Sequence, residues 1–165
     1  MRKMTSLTLA CATFASLAAT PAAADCAIER AIYEDMEGAA RIEFFATGTA
    51  ATVTNSFRML LNDTIVLDGI VQWTDEVPRP NGKLMYQCPD GDVTGPEYEI
   101  CTVWQGVIYT ADETGNIGLL PAEGVGAPAK LIFPDLGHAL RMSSAYGATG
   151  FTKTPWDVFQ QKGCQ

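Results

Sequence analysis

The chain has 165 residues, enough for one ordinary domain, and its 47% hydrophobic and 18% charged residues exclude a disordered tail. Fifteen glycines and nine prolines are scattered without a period, which excludes a collagen-like repeat and implies many turns. Nineteen acidic against eleven basic residues give a net charge of −8, and no Lys/Arg stripe is present to displace phosphate counterions, so a nucleic-acid partner is not expected.

The first residues read as an address. Met1-Arg2-Lys3 is a basic start, residues 7–19 are apolar or small and uncharged, and Pro21-Ala22-Ala23-Ala24 closes the segment. This three-part pattern is that of a secretory signal peptide cleaved after Ala24. A membrane span needs about 20 strongly apolar residues, whereas this core is rich in Ala, Thr and Ser and ends at a proline. The expected organisation is therefore a cleaved signal over 1–24 and a single soluble periplasmic β-domain over 25–165, with no membrane span. Removing Arg2 and Lys3 leaves nine basic against nineteen acidic groups, a charge of −10.

Cys26, Cys88, Cys101 and Cys164 remain after such processing. An even count in an exported chain reads as two disulfides with three possible connectivities. The nested pairing Cys26–Cys164 and Cys88–Cys101 is favoured, because chain ends usually lie close together and because the segment between the middle pair is full of turn residues. The thiols lack C-x-x-C spacing and the chain has one histidine, His138, which counts against zinc and redox sites.

In chain order, short apolar runs alternate with turns. Residues 27–34 and 39–46 flank Asp35-Met36-Glu37-Gly38 and predict a hairpin. The four-residue recurrence of Ile28, Ile32, Met36 and Ala40 also fits one helix, but Gly38 and the alternation in Arg41-Ile42-Glu43-Phe44 favour strands. Runs 56–61 and 64–67 straddle Asn62-Asp63, and Asp68-Gly69 leads into a further strand over 70–73. Residues 78–82 contain two prolines and predict a loop. Strand-forming runs follow over 83–88 and 100–111, then a turn at Gly115-Asn116 and an exposed loop over 121–128. A strand over 130–133, one or two helical turns over 135–141 and a last strand over 156–160 complete the chain. Turns at such regular spacing predict an all-β fold: a small antiparallel β-barrel or sandwich with one short helical segment, stapled by disulfides.

Candidate sites are few. No G-x-S-x-G elbow accompanies His138, and nothing singles out a catalytic carboxylate pair, so no enzyme and no cofactor are expected. Asp90, Asp92 and Thr94, followed by Gly95, match the opening half of a calcium loop, but Cys101 stands where the bidentate glutamate belongs, so this is a weak metal candidate. Trp73, Trp104 and Trp156 suggest a platform for an envelope glycan or another small ligand, which is the alternative reading of function.

Tyr86-Gln87-Cys88, then Ser144-Ala145-Tyr146, Phe151-Thr152-Lys153 and Lys162-Gly163-Cys164 resemble the bacterial periplasmic inhibitors of C-type lysozyme. The resemblance covers residues 86–164. It lacks the glycine that follows the family's serine, and it has Phe151 where the family often has tryptophan. It implies a small β-barrel that inhibits a peptidoglycan-cleaving glycosidase, a lysozyme or a lytic transglycosylase, with Ser144, Tyr146 and Lys153 as the partner-binding residues. It also implies a Cys88–Cys164 bridge, at odds with the nested pairing. A basic peptidoglycan hydrolase, from a host or from the same cell, suits so acidic a chain by long-range attraction.

Overall fold

The structure is a computed structural model that describes residues 26–49, 52–73, 78–89, 91, 95–147 and 151–165. The expected signal segment lies outside the described residues, as do Asp90, Asp92 and Thr94 of the calcium-like turn.

The fold is mostly antiparallel sheet, as the turn spacing predicts. The strands are β1 (Ala31–Asp35), β2 (Ala40–Phe45), β3 (Val53–Leu61), β4 (Ile65–Trp73), β5 (Pro80–Met85), β6 (Thr102–Val107), β7 (Tyr109–Ala111), β8 (Ile117–Leu119), β9 (Lys130–Ile132) and β10 (Val158–Cys164). Two short helices, α1 (Gly95–Cys101) and α2 (Leu136–Met142), interrupt them. All ten strands belong to one sheet in the order β6-β5-β4-β3-β2-β1-β10-β9-β7-β8. The sheet curls into a half-barrel. β6 and β7 lie towards opposite flanks, yet only the buried Ile108 separates them in the chain. One run of chain thus draws the two flanks together, with the Ile108 N–H donating to the Pro80 carbonyl at 3.2 Å.

The concave face is the core. Along β3 the residues Asn55, Phe57, Met59 and Leu61 are buried while their neighbours face out, and β4 repeats the pattern with Ile65, Leu67, Gly69 and Val71. Aromatic rings meet edge-on or tilted across the strands: Tyr33 on Phe44, Phe44 on Phe57, and Phe57 on Phe133, which also meets Trp104 and Phe159. Paired glycines make room where rings lie flat. Gly82 sits opposite Gly106, and a side chain on either would collide with Ile108 or Trp104.

Both disulfides follow the nested pairing, Cys26–Cys164 and Cys88–Cys101. The Cys88–Cys164 bridge implied by the family resemblance is not the one formed. The first bridge joins the two ends of the described chain, where β1 pairs with β10 and Ala31 faces Cys164.

Three expectations need correction. The predicted break at Asp68-Gly69 is absent, and β4 runs straight through it, because Gly69 is a packing glycine and not a turn glycine. Strand β5 starts at Pro80, inside the predicted loop: as the first residue of the strand it has no ladder N–H to supply, and its carbonyl is used. The predicted strand over 100–111 begins only at Thr102, since residues 95–101 form α1; Pro96 falls in the first turn, where its missing N–H costs nothing. The described residues consequently hold two short helices beside the sheet. The alternative single helix over the first hairpin does not form. Instead the Asp35 carboxylate accepts from the Ala40 N–H at 2.8 Å and the Glu37 N–H at 3.2 Å, and Gly38 takes φ +63°, which closes the turn.

Candidate functional site

The strand directions gather the 36–39 turn, the 62–64 turn, the segment 86–101 with α1, and the segment 133–157 with α2 at one end of the half-barrel. All three residues expected to bind a partner stand there. The ends of the described chain, joined by Cys26–Cys164, and the loop 121–128 lie at the opposite end.

The described segments 143–147 and 151–157 are tied to each other and to α2. Phe151 is fully buried, the Gly147 N–H donates to its carbonyl at 2.9 Å, and the Tyr146 ring meets the Phe151 ring edge-on. The Tyr146 hydroxyl donates to the Thr152 carbonyl at 3.2 Å, while the Arg141 guanidinium lies over its ring. Tyr146 therefore shapes the loop from within and does not project from it. At the far end the Asp157 carboxylate accepts from the Asp135 N–H at 2.9 Å and the Gly137 N–H at 3.1 Å, joining the loop to the start of α2.

Lys153 emerges from this frame half-exposed, with Nζ 2.8 Å from Oε2 of Glu37 and a second, longer bond of 3.4 Å to the Glu37 carbonyl. The ammonium, together with a hydrogen bond from the Trp156 side chain, holds the Glu37 carboxyl below its usual range. Ser144 is exposed and faces elsewhere, lining an apolar hollow of about 340 Å³ walled by Tyr86, Pro89, Ile100 and Cys101. Its neighbour Ser143 is turned inward, donating from its hydroxyl to the Leu140 carbonyl at 2.7 Å. The fold thus brings Ser144, Tyr146 and Lys153 into one loop but gives each a different setting.

Glu37 is the member that reading the sequence missed. It belongs to a turn 116 residues from Lys153, and nothing in its local sequence marks it as that lysine's partner. The three tryptophans do not form the suggested platform. Trp104 is buried, with its indole N–H donating to the Pro134 carbonyl at 2.9 Å; Trp73 ends β4 at the opposite end; only Trp156 is exposed at the loop-bearing end. His138 is exposed on α2. Among the described residues, no three or more His, Cys, Asp or Glu side chains are grouped to hold a metal ion. No helix among them is long and apolar enough to cross a membrane.

Among the described residues, four large apolar side chains are more than half exposed at this end: Met36, Ile100, Met142 and Trp156. Exposed apolar groups gathered beside a fixed ion pair suit a recognition surface better than a solvated rim. No known protein family, curated protein or solved structure matches the chain.

Proposed function

We propose that this chain is a non-enzymatic, exported binding protein that works in the periplasm and restrains a basic, peptidoglycan-cleaving glycosidase. The loop 143–153 enters the partner's cleft, and Lys153 pairs with a carboxylate there. One observation carries the reading: Lys153 is half-exposed and already held in place by Glu37, so engaging a partner's carboxylate costs it little further side-chain entropy. The edge-on contact of Tyr146 with Phe151 and the Cys88–Cys101 bridge supply support of the kind an inhibitory loop requires. The net charge of −8 steers a basic partner towards the chain.

The test is muramidase activity on purified peptidoglycan, with a C-type lysozyme and with lytic enzymes from the same periplasm. Excess protein should suppress at least one of them. Lys153→Ala should weaken that inhibition by orders of magnitude, since truncating a desolvated charge contact costs about 2–5 kcal/mol. Ser144→Ala should cost only about 1 kcal/mol, as a neutral hydroxyl bond does. Full activity of every enzyme in the presence of excess protein refutes the proposal.

A further inference from the structure

The apolar hollow beside Ser144 is built mainly by α1 and the segment that follows β5. Glu97 and Ile100 stand three residues apart on α1, so they share one face of the helix, and both line the hollow. Tyr86, Pro89 and Cys101 supply the rest of its apolar lining. Two links hold the 86–89 segment to the end of α1: the Cys88–Cys101 disulfide, and the Tyr86 N–H, which donates to the Cys101 carbonyl at 2.9 Å. The walls are thus cross-linked before any ligand arrives, which lowers the entropic cost of binding. The volume of about 340 Å³ falls within the range of small-molecule sites, which begins at about 300 Å³.

Two features identify the chemistry that would fill it. Ile100 is 83% exposed, the most exposed large apolar side chain among the described residues, so apolar surface is left uncovered here. Glu97 is the one charged side chain among the described residues that line the hollow, and Gln87 and Ser144 are its neutral polar members. A carboxylate accepts several hydrogen bonds at once, so contacts that Glu97 makes elsewhere do not use it up. Tyr98 and Glu99 provide a contrast within the same helix: they line a separate hollow that also contains Lys83, where ammonium and carboxylate offset each other.

We propose that the hollow beside Ser144 binds a small organic cation, an ammonium group carried on an alkyl or aryl body. The body packs on Tyr86, Pro89, Ile100 and the disulfide, and the ammonium donates to the Glu97 carboxylate in a charge-assisted hydrogen bond. The chain's net charge of −8 attracts cations and repels anions of the same shape. Such binding needs no enzyme partner and does not depend on the inhibitor reading, which places the contact with its target at Lys153.

The experiment is a titration of the isotope-labelled intact chain at neutral pH, with backbone amide shifts followed by NMR. The probes are hexylammonium, methylammonium, hexanol and hexanoate. Hexylammonium should bind saturably in the millimolar range or tighter and move the amides of residues 86–88 and 97–101. Methylammonium has the charge without the body and hexanol the body without the charge, so each should bind at least about fivefold more weakly, and hexanoate at least about tenfold. Glu97→Gln should remove the preference for hexylammonium over hexanol, and Ile100→Ser should weaken hexylammonium several-fold. Glu123→Gln, which removes a negative charge at the opposite end, should leave both unchanged. Circular dichroism establishes that each variant is folded. The proposal is overturned if hexylammonium does not saturate at those amides, if any of the other three probes matches it, or if folded Glu97→Gln keeps the preference.

Discussion

Phe57 on β3 lies directly opposite Gly69 on β4, and a methyl group placed on Gly69 would fall 2.4 Å from the Phe57 ring. The ring has nowhere to retreat. It is fully buried between Phe44 and Phe133, at centroid distances of 5.2 and 6.0 Å. Gly69→Ala should therefore destabilise the fold by about 1–3 kcal/mol, the usual cost of overpacking a core. Phe57→Ala in the same background should relieve the clash but leave a cavity, costing about 3–5 kcal/mol relative to the parent. Urea unfolding of the two single variants and the double variant measures both effects, and the pair should be strongly non-additive.

Asp157 acts as a cap borrowed from another part of the chain. The local N-cap of α2, Asp135, sits at φ +58° and makes no side-chain cap bond, so the first N–H groups of the helix turn to Asp157. Asp157→Ala should cost about 1 kcal/mol, the typical value of a lost cap, and should speed amide exchange at Asp135 and Gly137. An unchanged exchange rate at both amides would rule out the capping role.

The two disulfides should differ in what they contribute. Cys88–Cys101 closes a separation of 13 residues and Cys26–Cys164 one of 138. If chain entropy dominates, the short loop stabilises by about 3 kcal/mol and the long one by about 5 kcal/mol. Paired Cys→Ser variants, compared by thermal unfolding, should show the larger loss for the Cys26–Cys164 pair.

Acid should weaken the 112–116 turn in a defined window. The Asp112 carboxylate accepts from the Asn116 side chain and the Thr114 hydroxyl, both at 2.8 Å, and from both backbone N–H groups, which lowers its pKa from 3.8 to about 2. A folded-state pKa below the unfolded one stabilises above the unfolded value and loses that contribution as pH falls towards the folded value. The stability gap between the parent chain and Asp112→Ala should thus be constant above about pH 5 and close as pH drops to about 2. Urea midpoints measured across that range test the sign.

Much of the β-architecture was legible because it rests on local free energies. The alternation in Arg41-Ile42-Glu43-Phe44 and the turns at Gly38 and Asn62-Asp63 mark hairpins without reference to the rest of the chain. The misreadings are equally local. Asp68-Gly69 has the composition of a turn, yet Gly69 answers to a ring on the neighbouring strand. Residues 95–101 carry few helical signals beyond Pro96 and Glu97, and a helix that buries only Cys101 displays no apolar stripe to detect.

The amino-acid sequence alone determined the class of the fold and most strand positions and favoured the cysteine pairing that forms, because hydrophobic alternation, turn chemistry and the closeness of chain ends act over a few residues or through general chain statistics. Only the tertiary structure decided which residues share the candidate site. Glu37 meets Lys153 because β1 pairs with β10, with Asp35 opposite Phe159, so that the turn after β1 lies beside the segment leading into β10. That register is set by burying alternate side chains of β1, Tyr33 among them, together with Phe159 of β10 on the same concave face. A contact between residues 116 positions apart is the result of that packing, and no local pattern in either segment encodes it.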